Sequence, residues 1–229
     1  LACIDGSALT SRRTAAASAL AARELARQDA SSLLVVGTGK LAPMLIEAHA
    51  TVRPICKVRI WGRNPDKAAA LAERFRDRFD CEAVTDLETA VPEADIISCA
   101  TLSTESLVRG EWLQPGSHLD LVGAFRPSMR ETDSQCLVRS EVFVDTYAGA
   151  MGEAGDLLQA IDEGAFHETD LRAELAELLQ GLKPGRTNDE AITLFKSVGA
   201  SLEDLAAAIE VWETLEDNQQ RHRSPPSIV

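Results

Sequence analysis

Leu33–Val36 is a short unbroken apolar run, followed at once by Gly37-Thr38-Gly39-Lys40-Leu41-Ala42 and a helix-like stretch to about Ala50. A run of that length fits a strand buried on both faces. The G-x-G-x-x-A turn that joins it to a helix constrains the fold more than any other segment. Gly37 permits the tight turn, Gly39 lets a pyrophosphate approach the main chain, and Ala42 lets helix pack close to strand. The N–H groups at the start of that helix then face the phosphates. The alternative is an ordinary strand-to-helix turn made of small residues.

The plan recurs downstream. Lys57–Trp61 reads as a strand, Pro65–Arg78 as a helix with proline in its first turn, and Cys81–Val84 as a strand. Asp86–Val91 reads as a short helix, and Asp95–Cys99, Ser117–Val122 and Glu141–Val144 as strands. Strands alternating with helices predict an α/β fold with a parallel, doubly wound sheet. Ahead of them, residues 7–28 form an alanine-rich helix that Ser7 or Thr10 can cap. After Tyr147 the pattern turns helical at 151–163, 171–180 and 201–217, with Ala191–Val198 as a further strand. Ile192, Leu194 and Phe195 on that strand call for a covering partner, without which it is an open edge. The division expected is a linking helix at 1–30, a dinucleotide-binding domain at 31–147, C-terminal helices with a return strand at 148–217, and a loose tail at 218–229.

Charge narrows the partners. The net charge is −13, which disfavours nucleic acid and anionic lipid. Residues 151–217 carry 16 acids against 4 bases, whereas residues 1–150 carry 20 against 17. The first part can therefore hold an anionic ligand. The five cysteines (3, 56, 81, 99, 136) form no C-x-x-C, and the four histidines show no metal-ligand spacing. Reduced thiols and no metal are expected. No run approaches the roughly 18 apolar residues of a membrane span, so a cytoplasmic protein with no membrane partner is expected.

The end of the second strand selects the cofactor. An NAD site places Asp or Glu there for the ribose hydroxyls. This chain reads Trp61-Gly62-Arg63-Asn64, with Asp66 only further on. Arg63 suits a 2′-phosphate, with Lys67 assisting, so NADP(H) is expected over NAD(H). Otherwise Arg63 and Lys67 are solvated surface charges.

Several segments taken together resemble the ornithine cyclodeaminase/μ-crystallin family: T-x-x-R-T-A-A (Thr10, Arg13, Thr14, Ala15, Ala16), GTGKLA, IWGRN, SCATLST, PGSHLDLVGAFRPSMRETD and TLFKSVGASLEDLAAA. The resemblance runs from about residue 7 to 215. That family also contains an archaeal-type alanine dehydrogenase and reductases of cyclic ketimines. The resemblance implies a Rossmann-type domain plus part of a split substrate and dimerisation domain. It further implies a homodimer and an N-terminal segment that supplies an arginine and a lysine to the substrate pocket.

Carried over, Arg13 would hold the substrate carboxylate; on its own it reads as one of an Arg12–Arg13 pair on a solvated helix face. Gly123 would meet the substrate, and Val122 the nicotinamide beside it. Thr14, the turn residues Gly37, Thr38, Gly39, Lys40 and Leu41, and Arg63, Asn64 and Lys67 would line the cofactor site. Ala100, Thr101 and Ser103 would border the nicotinamide, while Lys196 and Gly199 would close over the cofactor. Two positions depart from the pattern. Leu41 stands where many relatives carry Gln, and Phe125 where the cyclodeaminases carry an aspartate. A phenyl ring moves no proton, so the resemblance implies an NADPH-dependent reductase of small cyclic ketimine carboxylates, yielding proline or pipecolate. The alternatives are an ornithine cyclodeaminase and an NADP-binding protein without turnover. No proton donor is assigned: His118 and Asp120 read as core, leaving the family lysine or water.

Overall fold

The computed structural model describes residues 3–223. In chain order the elements are α1 (Gly6–Leu25), β1 (Ser32–Val36), α2 (Ala42–Val52), β2 (Lys57–Trp61), α3 (Pro65–Phe75) and β3 (Asp80–Val84). There follow α4 (Leu87–Ala90), β4 (Ile96–Cys99), β5 (His118–Leu121), α5 (Ser134–Val138), β6 (Glu141–Val144), α6 (Tyr147–Glu153) and α7 (Gly155–Asp162). The chain ends with β7 (Leu171–Glu174), α8 (Leu175–Leu179), β8 (Thr193–Lys196) and α9 (Ser201–Arg223).

All eight strands run parallel in one sheet of order β3-β2-β1-β4-β5-β8-β6-β7. Helices cover both faces, as parallel strands require. Alternate residues of each strand divide between the two layers. Leu33, Val35, Val58 and Ile60 pack under alanines of α1 and under Ile46, Leu71 and Phe75 of α2 and α3. Leu34, Val36, Ile97, Leu119 and Leu121 point the other way, onto Leu137, Ala150 and Leu157. The alanines of α1 carry no bulk, which lets this helix lie close along the sheet; Ala21 and Leu25 reach Phe143 and Phe195. The linking helix is thus an integral layer of the core.

The chain builds outward from β1 to β3, then returns to lay β4 against the other side of β1. That reversal opens a crevice at the carboxyl ends of β1 and β4, where ligands of doubly wound sheets bind.

Four expectations change. Thr193–Lys196 is no open edge: it lies between β5 and β6, with His118 and Glu141 both opposite Thr193, and is buried throughout. Both faces of the run are already covered by this chain's own helices, so the sheet does not stop at residue 147. Residues 171–174 are strand, not the start of a helix; a capping box at Glu174 and Glu177 begins α8 only afterwards. The helix read at 151–163 is two helices, α6 and α7, that meet at Ala154 in extended conformation. Helix α9 continues to Arg223, so 218–223 is helical and not loose; residues 224–229 of the expected tail lie outside the described residues. Among the described residues no helix is long and apolar enough to cross a membrane.

Candidate active site

The crevice is shaped first by missing side chains. Gly37 has φ +126°, and a Cβ there would stand 2.6 Å from the Ala100 carbonyl oxygen. Only glycine lets the end of β1 sit against the loop after β4. At Gly62 a Cβ would come within 2.7 Å of Thr38 Cγ2. Gly39 differs: a Cβ there would meet no atom within 4 Å. The fold does not require that glycine, and the space beside it is open. Asp5, Asn64, Asp86, Asp133 and Thr146 cap α1, α3, α4, α5 and α6 with side-chain oxygens. Helix α2, which begins at this opening, has no side-chain cap. An uncapped helix start beside open space leaves its amides free to receive an anion.

Gly37, Thr38, Gly39, Arg63, Asn64, Lys67, Ala100, Thr101 and Ser103 line this groove together, and no carboxylate lines it. Arg63 and Lys67 are exposed, and neither forms an ion pair among the described residues. The Asn64 side-chain oxygen accepts from the Asp66 and Lys67 amides, at 3.0 and 3.2 Å, as the cap of α3. Lys40 is exposed and stands outside the lining.

A second recess continues from the first through Ala100, Thr101 and Leu102. Its other walls are Arg13 and Thr14 of α1, Leu41, Val122, Gly123 and Phe125 after β5, and Val198 and Gly199 after β8. Residues nearly 190 positions apart in sequence thus meet here. Phe125 is 38% exposed at the rim. Ala124 beside it holds φ +49°, a left-handed conformation that costs a non-glycine residue energy. Its carbonyl accepts from the Gly155 amide at 2.9 Å. Arg13 is engaged by its own chain: Nε donates to Asp204 at 2.9 Å and Nη1 to Glu203 at 3.0 Å, both in the first turn of α9.

Beneath this recess lies a charged layer. Lys196 does not close over the groove; it is wholly buried and lines neither recess. Its ammonium donates to the Leu121 carbonyl at 3.3 Å and to that of Gly123, and lies 3.5 Å from Asp156 Oδ2. A lysine on a central strand needs such partners, because an unpaired buried charge is costly. Asp156 Oδ1 in turn accepts from the Glu131 and Thr132 amides at 2.8 and 2.9 Å. Glu131 is also wholly buried, and its Oε1 accepts from the Thr101 amide at 2.6 Å and the Thr101 hydroxyl at 2.8 Å. Burial pushes the Glu131 carboxyl up to about 7; Lys196 opposes this and Asp156 adds to it.

Glu131, Asp156 and Asp145 escape a reading of the sequence. Asp145 Oδ2 accepts from the Val198 and Gly199 amides at 2.7 and 2.6 Å and so shapes the turn after β8. The available signal is an acid at the end of a buried strand for Asp145 and an acid in an apolar segment for Asp156, whereas Glu131, between Arg130 and Thr132, carries none. His118 and Asp120 lie in the core: Asp120 Oδ2 meets His49 Nε2 at 3.2 Å and accepts from Ser98 at 2.6 Å. Burial lowers His118 to about 3, so it is neutral.

The model of the ornithine cyclodeaminase/mu-crystallin family matches residues 1–219. The Δ1-pyrroline-2-carboxylate reductase of Colwellia psychrerythraea is 40% identical over 220 residues, which cover 95% of this chain and 70% of that one. Among solved structures, the Thermococcus litoralis Δ1-pyrroline-2-carboxylate reductase in complex with NADH and L-proline superposes with a TM-score of 0.90. It is 35% identical, over 93% of this chain and 67% of its own. An archaeal alanine dehydrogenase dimer with bound NAD gives 0.83 at 31% identity, over 91% and 65%. The chain spans 66–70% of the length of the curated relatives it matches.

Proposed function

From the chain's membership of the ornithine cyclodeaminase/mu-crystallin family, we propose that it acts as a nicotinamide-dependent reductase of small cyclic ketimine carboxylates. The products would be cyclic amino acids such as proline or pipecolate. One observation carries the reading: an anion-binding groove opens through Ala100–Leu102 into a second recess. That recess holds an arginine but has a phenyl ring, Phe125, at its rim where a deaminating acid would be wanted.

The groove fits a dinucleotide. The uncapped start of α2 and the open space at Gly39 receive the pyrophosphate. Arg63 and Lys67, both exposed on a groove without a carboxylate, favour a 2′-phosphate and hence NADPH. The bound cofactor supplies the hydride. The chain's own task is to hold the imine carbon in line and keep water out. Val122 and Thr101 line the recess, and Arg13 takes the substrate carboxylate as a bidentate fork. Because Arg13 already holds Glu203 and Asp204, substrate binding is an exchange of carboxylates.

Phe125 disfavours the ornithine cyclodeaminase alternative. A homodimer is supported by Leu202, Leu205, Ile209 and Trp212, which leave an exposed apolar stripe along α9, and by the dimeric archaeal alanine dehydrogenase. The test is a paired assay. NADPH oxidation with Δ1-pyrroline-2-carboxylate, and no ammonia from ornithine, is the expected result; ammonia release would select the cyclodeaminase, and neither signal a binding protein without turnover.

A further inference from the structure

The imine nitrogen must gain a proton as its carbon gains hydride, and the walls of the second recess hold few groups able to give one. Arg13 is held by Glu203 and Asp204, and Phe125, Val122 and Leu41 carry no proton to give. Four hydroxyls line the recess, those of Thr10, Thr14, Thr101 and Ser197, and of these only Thr101 also lines the first groove, at the junction of both. A threonine hydroxyl is a poor acid alone. This one is bonded at 2.8 Å to a wholly buried carboxyl, whose same oxygen also takes the Thr101 amide at 2.6 Å.

We propose that Glu131 is the proton store of the site and that it works through the Thr101 hydroxyl, as a positioning residue that never touches substrate. The inference rests on the imine-reductase reading above. The step balances as follows. Glu131 carries its proton on Oε1 and donates it to Thr101 Oγ1, which turns its own hydrogen toward the recess. Hydride adds to the imine carbon, the π pair of the C=N bond passes to nitrogen, and nitrogen takes the Thr101 hydrogen. Thr101 Oγ1 takes the Glu131 proton in its place. The imine is reduced, the dinucleotide is oxidised, and Glu131 is left as a carboxylate to be reprotonated from water.

The surroundings suit both states of the carboxyl. Burial and Asp156, on α7, keep it protonated up to neutral pH, whereas Lys196, on β8, stabilises the carboxylate once the proton has left. Cys99 at the end of β4 adds no charge, because burial raises its thiol well above the usual range. Lys196 is not the donor: it lies beneath the loop and gives its hydrogens to the Leu121 and Gly123 carbonyls. The Glu131 carboxyl leaves no room for a side chain at Gly123, where a Cβ would overlap it. The store and the substrate loop are therefore packed directly together.

The experiment uses the full-length protein with Glu131→Gln, Thr101→Val and Thr101→Ser. Glutamine still accepts from Thr101 but holds no transferable proton. Its kcat should fall about 100-fold, the lower range for a lost general acid, with KM and dinucleotide affinity unchanged. The wild-type decline of kcat as pH rises through about 7 should disappear in the same variant. Thr101→Val should lose as much, and Thr101→Ser should recover most of it. Infrared difference spectra of cofactor-free protein give a second readout. A protonated-carboxyl band should vanish as pH rises through neutrality and be missing from Glu131→Gln. Wild-type kcat and pH profile in a folded Glu131→Gln would overturn the store while leaving the reductase reading intact. If that variant does not fold, equal rates for Thr101→Val and Thr101→Ser overturn it instead. A wild-type protein inactive on every cyclic imine overturns both.

Discussion

Around Gly37, Arg63 and Lys67 the site is made from main chain and from charges left in water. A few ångströms of protein away, below Thr101 and Gly123, it is made from charges taken out of water: Glu131, Asp156 and Lys196 are each 1% exposed or less. On the proposed function, the first region has only to bind an anion, which backbone N–H groups at a helix start and solvated cations do well enough. The second would hold a reacting atom in place and manage a proton. A low-dielectric setting with every dipole fixed strengthens such interactions. The same contrast separates two kinds of glycine. The fold leaves room for a methyl group at Gly39 and none at Gly123, so on the proposed function Gly39 would serve the ligand and Gly123 the fold.

Gly123→Ala should have the largest effect. Its Cβ would overlap the Glu131 carboxylate and the Thr101 carbonyl, neither of which can retreat, so stability should fall by about 3 kcal/mol or more. Chemical denaturation measures this; a stable Gly123→Ala would mean the charged layer is soft. Gly39→Val should do the opposite. Thermal unfolding should match the wild type, since nothing lies within 4 Å of the added Cβ, while calorimetry should show no dinucleotide binding. Retained binding would reduce the turn to a structural feature. Arg63→Ala should weaken NADPH by about 1.5–3 kcal/mol, the value of a hydrogen bond to a charged group, with NADH nearly unchanged. An equal loss for both cofactors would place Arg63 outside the phosphate site. Smallest is Asp204→Asn: Asp204 is 41% exposed and is one of two partners of Arg13, so its loss should lower the substrate KM by no more than about fivefold. A raised KM would show that the ion pair pre-positions Arg13 and does not compete with substrate.

The two regions also differ in how far the sequence reveals them. Strands β1 to β6 are legible because each is a short apolar or alternating run punctuated by turn residues, and the groove because much of its lining is consecutive in sequence: Gly37 to Gly39, Trp61 to Asn64. Strand β7 was hidden because Leu171–Glu174 carries two charges among four residues and runs directly into a helix. Strand β8 is visible as a strand, but its central place is not. Periodicity does not reveal that Lys196 is buried, because the fold provides it with two carbonyls and a carboxylate from elsewhere in the chain. The charged layer joins Thr101 to Glu131 and Gly123 to Lys196, and on the recess wall above it Arg13 meets Asp204. None of these pairs has a spacing that local pattern can reveal, and only the likeness to a known family singles out Arg13.

The central position of β8 also governs the order in which this sheet can assemble. Strands β1 to β5 need only one another, whereas β6 and β7 reach them solely through Thr193–Lys196. A chain synthesised from its N-terminus therefore carries β5 with one bare edge until its last strand emerges, more than 70 residues later. Closing so long a loop is an entropic cost that local contacts do not offset early, and a bare strand edge invites pairing with other chains. Substitutions in β8 at positions other than Lys196 should thus be felt more in the yield of soluble protein than in the activity of the molecules that do fold.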